Sequence, residues 1–169
     1  LGIQLLPGLP GHGPLQWGED VRLTVSLTPD VARIYPCVVM AGTGLAEMHA
    51  RGEYEPWSLE TAVEECGRAL PRFWEAGVRV IRLGLAGEPD MLAWHPAFGN
   101  MARSRALRAI LEERLRGAGR VSRIFLPARL GGELWGHGRA NAPALELLGI
   151  TKETAVFWQE SEIVAELEE

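Results

Sequence analysis

LGIQLL at positions 1–6, followed by PGLPGHGP at 7–14, is the stretch from which the fold can be read. A nearly all-apolar run of strand length that meets a Pro/Gly cluster reads as a buried strand ending in a loop. Downstream, Trp17, Val21 and Val25 recur at helical spacing between Leu15 and Leu27, and Pro29-Asp30 ends that helix. Val31–Met40 is a second apolar run, and it passes into Ala-Gly-Thr-Gly at 41–44.

A longer helix follows. Ser58 can cap it, and Ala62, Val63, Cys66, Ala69, Leu70, Phe73 and Trp74 fall on one face. Gly77 supplies a C-terminal stop, and Pro71 predicts a kink, because it removes one backbone hydrogen bond. Val78–Leu85 (VRVIRLGL) is a third strand whose mostly apolar faces suit burial on both sides. Strands alternating with helices imply a parallel sheet with right-handed crossovers. Such sheets bind ligands at the C-terminal ends of their strands, where the glycine-bearing loops 7–14, 41–44 and 84–90 fall. Turn chemistry alone accounts for glycine there equally well.

After Asn100 the pattern changes. Met101–Arg116 reads as an Arg-rich helix with Leu107, Ile110, Leu111 and Leu115 on one stripe, and 117–120 as a linker. Val121–Pro127 and Thr154–Gln159 read as strands around a short helix capped by Asn141 and stopped by Gly149. The acidic tail from Glu160 reads as a frayed helix. The expected division is therefore 1–99 and 100–169, the second a small α+β appendage.

Composition narrows the class. Of the 169 residues 47% are hydrophobic and 23% charged, the balance of a soluble globular protein. No signal peptide or membrane-spanning run is evident, so no membrane partner is expected. Cys37 and Cys66 are the only cysteines, which suits a reducing, cytoplasmic setting and excludes a disulfide scaffold. Both read as core residues. Net charge is −5, yet residues 101–139 hold nine Arg against three Glu, a local +6. RNA contact through 101–139 is one reading of that excess, and a solvated helix face is the other. Gly136-His137-Gly138-Arg139, between two strands, is loosely similar to the GxxG loop with which KH modules clamp a nucleic-acid backbone, without its strict spacing. No two His stand at metal-ligand spacing with suitable partners, so no metal site is expected in this chain.

Five motifs in order carry a resemblance. Ile3-Gln4-Leu5-Leu6-Pro7-Gly8-Leu9-Pro10-Gly11 resembles the fifth barrel strand and following loop of radical S-adenosylmethionine enzymes, in particular the elongator-catalytic-subunit and oxygen-independent coproporphyrinogen oxidase groups. Arg33-Ile34-Tyr35-Pro36, with Val39, Gly42-Thr43, Leu45 and Met48, resembles the sixth strand and its exit. Gly52-Glu53-Tyr54, Pro56 and Ser58-Leu59-Glu60 continue the pattern, as do Arg82-Leu83-Gly84-Leu85 and His95-Pro96-Ala97-Phe98-Gly99. The likeness covers residues 1–105. Two departures stand out: His12-Gly13 where family loops carry Asp or Gln and then Thr, and a short stretch between Gly84 and His95. The CxxxCxxC cluster motif is not in this sequence.

The resemblance implies an α/β fold, the C-terminal strands of a partial (βα)6 TIM-like barrel followed by the α+β appendage. It implies S-adenosylmethionine and a [4Fe–4S] cluster in a parent protein, with neither expected on this chain alone and no activity of its own. The chain begins at Leu1, and a fragment lacking the N-terminal barrel half is expected. In that setting Gln4, Gly8, Leu9, Pro10, Gly11, Arg33 and Tyr35 are candidate cofactor-binding residues. Arg82 and His95 are candidate substrate-binding residues. Plainer roles stand beside these: Gln4 as a satisfied polar residue, Arg33 and Arg82 paired with carboxylates, His95 as a loop anchor, and His12 and His49 facing solvent. The rival function is an interaction or RNA-binding module that kept the barrel's shape without its catalysis.

An apolar first strand with one bare edge is a template for pairing with a second copy. The isolated chain is expected to self-associate, its mass by light scattering rising with concentration. A constant monomer mass at high concentration contradicts this.

Overall fold

Gly2–Leu5 (β1), Val31–Ile34 (β2) and Arg79–Leu83 (β3) pair in that order as an all-parallel sheet. They belong to a computed structural model that describes residues 1–87, 91–92 and 94–168. Helix α1 (Pro14–Ser26) connects β1 to β2, while α2 (Gly44–Ala50) and α3 (Leu59–Glu75) lie between β2 and β3. The chain is thus a mixed α/β protein, with helices joining its parallel strands.

One side of this sheet is its core. Ala32 and Ile34 of β2 have no exposed surface, nor do Phe73 and Cys66 of α3, and Trp17, Val21 and Leu70 are almost as deep. Trp17 also donates its indole N–H to the carbonyl of Glu65 at 3.0 Å, tying α1 to α3. Ser58 caps α3 by accepting from the Thr61 amide, and the helix runs unbroken through Pro71. Trp74 departs from the predicted apolar face, being 43% exposed beside fully buried Phe73.

Two strand expectations need correction. The second strand stops at Ile34, not Met40, because Pro36 offers no amide and Cys37 N–H turns to the carbonyl of Pro7 at 2.8 Å. The third strand is not covered on both sides: Arg79, Ile81 and Arg82 are exposed.

The chain divides into two compact units, Leu1–Ala102 and Arg103 onward. Helix α4 (Phe98–Arg114) spans that boundary in sequence. In the second unit Val121–Pro127 (β4) is the central strand, parallel to Ala155–Trp158 (β5) and antiparallel to Val164–Leu167 (β6). The acidic tail is therefore a strand, not a frayed helix: Ala165 pairs with Ile124, and Glu166 lies opposite Arg123. Leu107, Leu111, Val121, Ile124, Leu126, Leu134, Leu145 and Ile150 form its core beneath α5 (Ala142–Leu147). Asn141 precedes α5, but its side chain makes no cap. It is buried and donates to the carbonyls of Ser104 and Leu134 at 2.9 and 3.1 Å. Among the described residues no helix is long and apolar enough to cross a membrane.

Phe73→Ala removes a fully buried ring and is expected to cost about 3–5 kcal/mol in urea unfolding. Trp74→Ala, one residue on and half-exposed, should cost about 1 kcal/mol or less. Equal losses would mean that the buried face of α3 is assigned wrongly.

Candidate functional site

The loop after β1 is held from several directions. Gly8 adopts φ +88°, in the left-handed region that glycine tolerates. A side chain there would also press on the Trp57 ring, since a Cβ would come within 3.3 Å of it. The buried Tyr54 hydroxyl donates to the Gly8 carbonyl at 2.6 Å. The Gly8 amide donates to His12 Nδ1 at 3.4 Å, and His12 Nε2 lies 2.9 Å from the Asp20 carboxylate. With Nδ1 accepting, the ring proton sits on Nε2 and is donated to Asp20. His12 is therefore not solvent-facing: its side chain keeps 17% of its surface and bridges the loop to α1. His49 is likewise half-buried, with Nδ1 3.0 Å from the carbonyl of Tyr54. Burial, with the Cys37 thiol beside it, pushes the Tyr54 phenol well above its usual range. Leu9, Pro10 and Gly11 are left exposed at the tip.

Next to the loop, strand register builds a row. Gln4 pairs with Arg33, and Arg33 pairs with Arg82. In-register neighbours of parallel strands share a face, and all three residues are exposed. Arg82 reaches this face only because the register slips between Ala32 and Arg33. Val80 sits opposite Ala32, so an unshifted ladder would set Ile81 against Arg33 and send Arg82 to the buried side. The extra residue is a β-bulge, a device that re-aims side chains. Among the described residues no carboxylate is ion-paired with Arg33 or Arg82. Tyr35, at the end of β2, is half-buried, and its amide bonds the carbonyl of Leu5 at 2.9 Å.

The remaining candidates separate. His95 Nδ1 accepts from the Ala97 amide at 3.0 Å, and its carbonyl accepts from Phe98, so it organises the start of α4. The last part of the third glycine loop, 88–90, lies outside the described residues. Cys66 is buried and its thiol is pushed up by that burial, whereas Cys37 is only partly buried and is not a full core residue. In the second unit, Gly136, Gly138 and Arg139 all have positive φ, at 74, 58 and 63°. The Arg139 guanidinium lies 5.9 Å from the centre of the Trp135 ring. Tyr54, Trp57 and Asp20 were not anticipated as site residues. Tyr54 stands within a motif of the resemblance, but nothing local in the sequence points its hydroxyl at Gly8.

Residues 29–116, just over half the chain, match the Radical_SAM C-terminal domain, and the chain belongs to that family. It is also 40% identical over 67 residues to the tRNA uridine(34) acetyltransferase of Methanocaldococcus jannaschii, and 38% identical over 67 residues to that of Methanocaldococcus infernus. Each match covers 38% of this chain and 12% of the relative, so the chain corresponds to a small part of those proteins. The family implies S-adenosylmethionine and a [4Fe–4S] cluster in the parent protein. Two cysteines cannot supply the three thiolates such a cluster takes in these enzymes, and the described residues contain no group of three potential metal ligands. This chain does not fit as the cluster's own site.

Tyr54→Phe leaves the Gly8 carbonyl without its buried donor and is expected to cost about 1–3 kcal/mol. Amide exchange at Leu9 and His12 should accelerate as the loop loosens. Unchanged stability and exchange would show that the loop is held without this bond.

Proposed function

We propose that this chain forms part of the cofactor and substrate pocket of a radical S-adenosylmethionine enzyme. In this reading β1, β2 and β3 are C-terminal strands of a partial (βα)6 TIM-like barrel, residues 1–99 belong to that barrel and 100–169 are an appendage. The parent protein's other half holds the cluster, and its setting is cytoplasmic. The observation that carries the reading is a coincidence of place. The clamped loop 7–12 leaves the C-terminal end of β1, and the Gln4–Arg33–Arg82 row lies beside it, at the edge where parallel α/β folds bind ligands.

Bound cluster and cofactor together supply a 5′-deoxyadenosyl radical, and the protein's share is orientation and exclusion of water. The Gly8–Gly11 backbone is fixed before any ligand arrives, so little ordering entropy remains to be lost on binding. Leu9 and Pro10 present apolar surface suited to a nucleoside. Gln4 offers an amide to a ribose or amino-acid group, and Tyr35 closes the end of β2. His95 shapes the approach to α4 from the substrate side.

A second reading has its own observation. Arg139 holds a left-handed backbone, costly for a residue with a side chain, within a glycine turn beside Trp135. Strain kept at an exposed arginine suits a turn that grips a nucleic-acid backbone, and the archaeal relatives are named for a tRNA reaction. Residues 101–139 would then form an RNA contact.

The test uses the protein carrying both halves, reconstituted anaerobically. Gly8→Val should lower S-adenosylmethionine affinity by at least about tenfold, ~1.4 kcal/mol, with a matching loss of 5′-deoxyadenosine, while Arg139→Ala changes neither. Arg139→Gly should stabilise the second unit by about 1 kcal/mol, and under the second reading should weaken single-stranded RNA binding. Wild-type cofactor binding in Gly8→Val would remove the pocket reading.

A further inference from the structure

We infer that Arg33 and Arg82, flanked by Gln4, form a single binding row for a phosphate group. The inference rests on the pocket reading for its choice of sheet face, and adds the chemistry of what that face takes.

The row is assembled from three strands distant in sequence, and its central pair consists of like charges. Neighbouring strands lie about 4.8 Å apart, so the two arginines leave the sheet from adjacent positions on one face, a repulsive placement of like charges that an anion between them would relieve. Among the described residues no carboxylate is ion-paired with Arg33 or Arg82. A third cation, Arg79, shares the face one row down, opposite Val31. The bulge at Ile81 matters most, because without it Arg82 would face the buried side of the sheet.

Guanidinium is planar and presents donors in a fork matched to oxyanions. Two forks converging from neighbouring strands suit a tetrahedral group that accepts from several directions, and two cations balance a dianion. The Gln4 amide adds a neutral donor at one end. A planar carboxylate would satisfy one fork and leave the second charge uncompensated. The class of ligand is therefore a phosphorylated molecule, free phosphate being its simplest member.

The experiment follows the arginine Nε–Hε signals of the 169-residue chain by NMR, at constant ionic strength, during titration with inorganic phosphate, adenosine 5′-monophosphate or acetate. Phosphate and the nucleotide should each shift Arg33 and Arg82 saturably, and acetate should not. A tighter fit for the nucleotide identifies a phosphate carried on a nucleoside; equal fits identify free phosphate as sufficient. Arg33→Gln and Arg82→Gln should each weaken binding at least about tenfold. Arg82→Lys, which keeps the charge and loses the fork, should fall between them and wild type. Shifts that never saturate, that appear equally at Arg123 and Arg129, or that acetate reproduces would overturn the inference. S-adenosylmethionine forms a separate arm, run on the anaerobically reconstituted protein carrying both halves and read as cofactor affinity. Phosphate binding without any cofactor response there would defeat the pocket reading and leave the row standing, and the converse would defeat the row alone.

Discussion

Burial of Ala32 and Ile34 is the constraint from which the first unit follows. Both are wholly removed from water on the central strand of a three-stranded sheet. Strand periodicity then leaves Arg33 no choice of side, since a slip of one residue would bury its guanidinium among Phe73, Leu70 and Val21 without a partner. The helices crossing between strands fix which side is wet. A strand of four residues thereby sets both the core and the charged row.

Against that fixed strand, the loop after β1 is rigid by accumulation and not by any single strong contact. A phenol, an imidazole–carboxylate pair, an indole face and the Cys37 amide each hold part of Pro7–His12. Each net contribution is modest in water, but all act on the same few peptide groups. This is the usual physical route to a preformed binding surface on a loop, with the scaffold contributing precision that the loop's own sequence lacks.

Much of this was legible beforehand. Glycine-ended apolar runs alternating with an amphipathic helix gave the parallel layout, and motif order gave the family that residues 29–116 then matched. The errors share a cause: each depended on a partner distant in sequence. The early end of the second strand follows from the Cys37 amide finding Pro7. The acidic tail looked helical because its glutamates hid a two-residue alternation, in which Ala165 meets Ile124 while Glu166 lies opposite Arg123. His12 looked exposed because Asp20, its partner, stands a helical turn and more away. The bulge at Ile81 could not be read at all, because register belongs to a pair of strands and not to either alone.

Chain order gives the row of charges a place in time as well as in space. β1 and β2 are joined by one helix, whereas β2 and β3 are separated by two helices and the segment between them. Loop closure costs roughly 0.6 kcal/mol more for each doubling of length, and non-local pairing trails local pairing in folding. The longer closure falls to β3, and Arg82 reaches Arg33 only on its arrival. Until then the sheet is a two-stranded parallel βαβ unit carrying only Arg33 of the pair. Local opening that frees β3 separates Arg82 from Arg33 and so dissolves the charged pair.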